Sequence, residues 1–215
     1  MSIVCAVLNS KGGSGKSTLT TNLARALQLA GKRVLIADSD PQGTARDWRR
    51  VQEEDTVLPA VVGIDRPTME KDIPQVAHAF DVILIDGAAK LQDMATSAIK
   101  AADAVLIPVQ PSAADIWAAA DLIELIQMRQ NITDGTPICA FVVSRQIAGT
   151  VVAAEVEEAL STYGFPVFQS RTSQRVAYVE ALAGGQTVLD TEPKGKAAIE
   201  INAIADEWMR WIDGK

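Results

Sequence analysis

The segment Asn9-Ser10-Lys11-Gly12-Gly13-Ser14-Gly15-Lys16-Ser17-Thr18 gathers residue types that together can hold a polyphosphate. Backbone N–H groups must approach an anion closely, and glycines permit both the approach and the dihedral angles it needs. A helix that starts where the loop ends turns its positive end to the same anion. The spacing G-x-x-x-x-G-K-[ST] adds a lysine for the β- and γ-phosphates and a hydroxyl for Mg²⁺. Here Ser10 stands at the first glycine position, and Gly15-Lys16-Ser17 completes the pattern. The loop is expected to bind ATP and Mg²⁺. Gly12, Gly13, Ser14, Gly15, Lys16 and Thr18 would surround the nucleotide, with the Ser17 hydroxyl on the metal.

Two acidic clusters, Asp38-Ser39-Asp40-Pro41-Gln42 and Asp86-Gly87-Ala88, each follow a short apolar run. A lone aspartate after a strand is more often a turn former or a helix cap. Beside a phosphate loop, carboxylates at neighbouring strand tips have another use. They can hold Mg²⁺ directly or through water and orient an attacking water. His78 is the only histidine and ends a helical stretch, so no histidine-based acid–base or metal chemistry is expected.

Such loops must sit at strand ends. Ile3–Leu8, Val34–Ala37, Val82–Ile85, Ala104–Val109 and Ile138–Val143 read as buried strands, with Leu58–Val62 and Pro166–Phe168 as shorter ones. Helices are expected over Ser17–Ala30, Thr44–Gln52, Thr68–His78, Ala95–Ala101, Ala113–Arg129, Thr150–Tyr163, Ser173–Ala183 and Lys196–Ile212. Apolar strands alternating with helices indicate a mostly parallel sheet covered on both faces. The fold class is therefore α/β, doubly wound, in one domain spanning 1–215, with ligands at the carboxyl ends of the strands.

Composition fits a globular chain: 215 residues, 48% hydrophobic and 22% charged. No run of about 18 apolar residues is available to span a bilayer, and the start Met-Ser-Ile-Val-Cys has no signal-peptide pattern. Cys5 and Cys139 lie in apolar, β-branched runs and read as buried free thiols, which suits a reducing cytoplasm. A net charge of −7 disfavours a constitutive nucleic-acid binder but leaves room for a local basic patch.

The run K-G-G-x-G-K-S, with Lys11 ahead of the glycines, resembles the deviant Walker A loop of the ParA/MinD superfamily of ATPases. The D-x-D-P-Q run from Asp38 resembles that family's second acidic motif. The later segments Pro108–Ser112 and Arg175–Ala181 are weaker points of likeness. The resemblance implies an ATP-sandwiched homodimer in which Lys11 reaches the other subunit's phosphates, much as an arginine finger does. It makes Asp40 the residue that organises hydrolysis, places Asp38 near the metal and its waters, and gives Asp86 the Walker B role on Mg²⁺. After Asp86 the family often carries threonine or serine and then proline. Gly87-Ala88-Ala89 departs from this and resembles the small ParF-like partition ATPases.

Four activities share this body. A ParA-type positioning ATPase dimerises with ATP, binds DNA without sequence preference and is reset by a ParB-like or other adaptor. It would be cytoplasmic, and nucleoid-associated in the ATP state. Its phosphate contacts would come from Lys or Arg: Arg46, Arg49 and Arg50, which share a helix face, or Arg145, Arg171, Arg175, Lys194 and Lys196. A MinD-like membrane ATPase needs a basic amphipathic C-terminal helix. Here the apolar stripe Ile201, Ile204, Ala205, Trp208 and Ile212 is flanked mainly by acids, so core packing is expected and no membrane contact. An electron carrier like the nitrogenase iron protein needs cysteines in loops, and both lie in strands. A metabolic P-loop enzyme would not need Lys11, and no second-substrate constellation stands out. The ParA-type reading is the one the residues favour.

Overall fold

The computed structural model describes residues 2–53, 57–89, 92–147 and 152–214. Six strands, β1 (Ile3–Val7), β2 (Val34–Asp38), β3 (Ala60–Gly63), β4 (Val82–Asp86), β5 (Ala104–Val109) and β6 (Ile138–Val143), form one sheet. Its order is β3-β2-β4-β1-β5-β6, and every neighbouring pair is parallel. Parallel pairing requires a crossover between strands, and the helices that supply it cover both faces.

Side chains alternate across a strand, so each strand feeds two cores. On one face Cys5, Val7, Ile36, Val82 and Leu84 pack beneath α1 (Lys16–Leu29), α2 (Thr44–Arg50), α8 (Val176–Ala183), α9 (Val188–Thr191) and α10 (Lys196–Asp213). On the other, Val4, Ala6, Ile83, Ile85 and Phe141 pack beneath α3 (Met69–Val76), α4 (Gln92–Ala101), α5 (Ala113–Ala118), α6 (Ala120–Ile132) and α7 (Val152–Ser161). Cys5 and Cys139 are both buried and lie on opposite faces. The C-terminal stripe Ile201, Ile204, Ala205, Trp208 and Ile212 is buried in the core beside α1.

Register sets the site. Val7 pairs with Asp86, and Asp86 pairs with Asp38. By the alternation just described, these three end positions lie level on the α1 face.

The structure departs from the sequence expectations in four places. The helix expected over Ala113–Arg129 is two, α5 and α6, divided at Ala119; the Ala118 carbonyl at the break accepts a bond from Ser10 Oγ. Pro166–Phe168 forms only a bridge, Phe141 to Val167. The helix expected from Ser173 starts at Val176, because Ser173 and Arg175 are drawn to Glu200. A short helix, α9, was not anticipated. The expected start of a helix at Thr150 lies outside the described residues.

Candidate nucleotide site

The loop between β1 and α1 ends on Gly15, whose φ of 92° is left-handed, a conformation that favours glycine. No side chain caps α1. Its first N–H groups are left for another acceptor. Lys16 follows and is only 6% exposed. Its Nζ donates to the Lys11 carbonyl at 3.1 Å. Burial lowers its pKa, while Asp86 and Asp40 pull the other way.

Asp86 is fully buried. Its Oδ1 accepts from Thr20 Oγ1 at 3.3 Å, and its Oδ2 has no partner. Burial pushes this carboxyl up to about 7, and the neighbouring Ser17 hydroxyl and Lys16 charge oppose the shift. The buried Ser14 hydroxyl is also unpartnered. A buried polar atom without a partner is costly unless a ligand supplies one. Orphan oxygens beside a buried lysine and the Ser17 hydroxyl fit a hard cation that rides on phosphate. Mg²⁺ takes one or two protein oxygens and the substrate's phosphates rather than an all-protein cage. Accordingly, no cluster of three or more His, Cys, Asp or Glu that could hold a metal occurs among the described residues.

Asp38 is buried too, and its oxygens are engaged. Oδ1 accepts from Asp40 N at 3.0 Å, and Oδ2 from Arg46 N at 2.9 Å. Burial raises its pKa, and these backbone bonds oppose the shift. Asp38 thus shapes the turn that carries Asp40. The Asp40 carboxylate accepts from Gln42 N at 2.9 Å and lies on the wall of the cleft. Gly87 follows Asp86 for a steric reason: a Cβ there would sit 2.2 Å from Leu8 Cδ2 and 3.0 Å from the Val7 carbonyl. A threonine or serine there would have to displace the Leu8 side chain and would crowd the Val7 carbonyl.

The cleft has a volume of about 1100 Å³. It runs from Gly12–Leu19 past Asp40 to Ser144, Arg145 and Thr172–Val176. That is room for a nucleoside triphosphate. Lys11 does not point freely across its mouth. Its Nζ is 2.7 Å from Asp115 Oδ2 on α5, and that carboxylate is 3% exposed. Ser112 Oγ also donates to Asp115, whose Oδ1 remains unpartnered.

The basic candidates divide sharply. Arg46 is turned inward, to the Asp40 carbonyl at 2.9 Å and to Asp38 and Asp65. Arg50 pairs with Asp47, and Arg49 donates to Gln52. Arg171 pairs with Glu157, and Arg175 with Glu200 at 2.6 Å. Arg145 lies in the nucleotide cleft, bonded to the Gly13 carbonyl. Lys194 and Lys196 are exposed and form no ion pair among the described residues. Sequence reasoning missed Asp115 and Ser144. Both meet the loop from more than a hundred residues away. The only local signal was the segment Pro108–Ser112, which ends beside Asp115.

A phosphate loop at the tip of an interior parallel strand, with a buried lysine and carboxylates on the adjacent tips, defines a P-loop nucleotide-binding protein. The profile of the CobQ/CobB/MinD/ParA nucleotide binding domain matches residues 5–188, and the chain belongs to this family, within the ParA/MinD superfamily of ATPases. The maintenance of carboxysome distribution protein A of Halothiobacillus neapolitanus is 31% identical over 208 residues, 94% of each chain. The chromosome-partitioning ATPase Soj of Thermus thermophilus is 28% identical over 95% of this chain and 94% of its own. In structure, the septum site-determining protein MinD of Pyrococcus horikoshii, complexed with Mg-ADP, covers 96% of each chain with a TM-score of 0.76 at 20% identity.

Proposed function

We propose that this chain is a nucleotide-switched positioning ATPase of the small ParA type. It dimerises with ATP, binds DNA without sequence preference, and is reset when an adaptor protein, ParB-like or other, stimulates hydrolysis. In the ATP state it would sit on the nucleoid. The observation that supports the reading is Lys11, a second loop lysine beside Gly12 and additional to the Lys16 of the phosphate pattern. The likeness over 94% of the chain to a carboxysome-distribution protein supports it.

Within the site the roles follow from position. Gly12, Gly13, Ser14 and Gly15 offer N–H groups, and Lys16 adds charge from a desolvated place where charge acts strongly. Ser17 and Asp86 hold the metal, with Asp38 behind them fixing the turn. When bound there, Mg²⁺ neutralises phosphate oxygens. Asp40, on the cleft wall, orients the attacking water. Lys11 leaves Asp115 and crosses to the partner subunit's phosphates. The DNA surface is centred on Lys194 and Lys196, whose charges are unspent. Burial of the C-terminal stripe supports core packing as its role.

The test is binding to a long non-specific DNA duplex with ATP, ADP or no nucleotide, at two salt concentrations. Salt-sensitive binding with ATP alone is expected. A protein that binds ATP but no DNA in any state would sink the reading.

A further inference from the structure

Three side chains hold the phosphate loop from outside, and nothing in the nucleotide reading assigns them a task. Gln110, just past β5, donates from Nε2 to the Gly13 carbonyl at 2.8 Å. Arg145, just past β6, donates from Nη1 to the same oxygen at 3.0 Å. Ser144 donates from Oγ to the Ser14 carbonyl at 2.7 Å and is itself buried. These residues come from the ends of two strands, so their positions are set by the sheet and not by the loop.

The geometry of the peptide unit gives this arrangement a consequence. In a trans peptide the C=O and the following N–H point in opposite directions. The Gly13 carbonyl shares its unit with the Ser14 N–H, and the Ser14 carbonyl shares its unit with the Gly15 N–H. Holding both carbonyls toward β5 and β6 aims both N–H groups the other way. Neither N–H has a backbone acceptor among the described residues. Arg145 reaches its place at φ 54°, a left-handed conformation that a residue with a side chain rarely adopts. Strain of this kind persists where the surroundings hold it in place and clusters at ligand sites. The surroundings here are specific: Arg145 N donates to Thr172 Oγ1 at 3.1 Å, and Gln146 N to the Thr172 carbonyl at 2.9 Å.

We propose that Gln110, Ser144 and Arg145 are positioning residues that form a carbonyl clamp. The clamp sets the Ser14 and Gly15 N–H groups toward the polyphosphate before it arrives and keeps two carbonyl oxygens from facing an anion. This rests on nucleotide binding at the loop and is independent of the DNA cycle. Preorganisation lowers the cost of ordering a loop on binding. ADP and ATP share the phosphates that such a cradle meets, so affinity for both depends on the clamp, while the rate from saturating ATP depends on it little.

The experiment is calorimetric titration of Mg-ADP into the wild type, Gln110→Ala, Ser144→Ala, Arg145→Ala, Arg145→Gly and the Gln110→Ala/Arg145→Ala double variant. Each single change is expected to weaken binding roughly 3- to 10-fold, the net value of one hydrogen bond. Gln110 and Arg145 share one acceptor, so each partly covers for the other. The double variant should lose more than the product of the singles. A purely structural role would lower the melting temperature of the nucleotide-free protein. The clamp instead predicts that this temperature holds while the ADP-induced upward shift shrinks. Arg145→Gly separates the two further: it relieves the left-handed turn, so the free protein is no less stable than wild type, yet ADP affinity still falls. A double variant that binds Mg-ADP as wild type does overturns the clamp alone. Affinity lost only in step with the stability of the free protein overturns it too. A wild type that fails to bind Mg-ADP overturns the nucleotide reading and the clamp with it.

Discussion

Lys16 and Arg145, at the phosphate loop, bond to backbone carbonyl oxygens, whereas Arg25, Arg33 and Arg171, on the flanks, each meet a carboxylate. A carbonyl orients a cation and leaves its charge in place. A carboxylate spends the charge, and an incoming anion must compete for it. The first region is built to receive an anion and the second to close a surface. Three lysines stand apart from this division. Lys11 belongs to the loop by sequence but is held by a carboxylate. Lys194 and Lys196, at the start of α10, are exposed and carry no ion pair among the described residues.

The sharpest way to break the contrast is Lys16→Ala. Loss of a buried, charge-assisted contact should weaken Mg-ATP binding roughly 100-fold, measured by titration calorimetry. Retained affinity would mean that the loop's charge comes from elsewhere. Asp40→Ala should lower steady-state turnover by about 100-fold while ATP still binds, so that the ATP dimer accumulates on a sizing column. Undiminished turnover would remove Asp40 from the water-orienting role.

Lys11 tests whether a carboxylate partner restrains a cation. Asp115→Asn should release it, so that the ATP dimer forms at protein concentrations up to about tenfold lower by ultracentrifugation. An unchanged dimerisation midpoint would make the contact incidental. Next come the DNA candidates. Each of Lys194→Ala and Lys196→Ala should reduce the slope of log affinity against log salt by about 0.9. Arg46→Ala and Arg50→Ala should leave that slope alone, because their charge is already matched.

The smallest effect is on stability. Burial pushes the Glu200 carboxyl up, but bonds from Arg175, Ser173 and Tyr178 outweigh it and hold it below the ordinary 4.5. A carboxyl depressed in the folded state adds stability that is present above its unfolded pKa and is lost as pH falls through the folded one. Glu200→Gln should therefore melt a few degrees lower than wild type near neutrality, with the gap closing below about pH 4.5. A gap that stayed constant with pH would mean the bonds do not depend on its charge.

The phosphate loop and the two acidic clusters were legible because their chemistry is local: ten consecutive residues in one case, three to five in the others. The strands were legible because their apolar runs are continuous. What escaped was contact at long range. Lys11 finds Asp115 across 104 positions and Gly13 finds Gln110 across 97. No spacing rule spans such distances. Arg145 read as a surface cation because nothing near it in sequence showed the loop above it. One miss was avoidable. Thr187-x-x-Asp190 has capping-box spacing and does cap α9.

The pairing of Val7 with Asp86 and of Asp86 with Asp38 makes the sheet a ruler. Alternate residues face opposite sides, so a slip of one residue between β1 and β4 would carry Asp86 through the sheet and leave Ile85 or Gly87 beneath the loop. Nothing in the loop itself could correct that error. On the metal-holding role proposed for Asp86, a molecule whose core closes one step out of register would bind magnesium and nucleotide more weakly. Ligand binding would then favour the molecules whose strands have closed in register, by stabilising the state that binds.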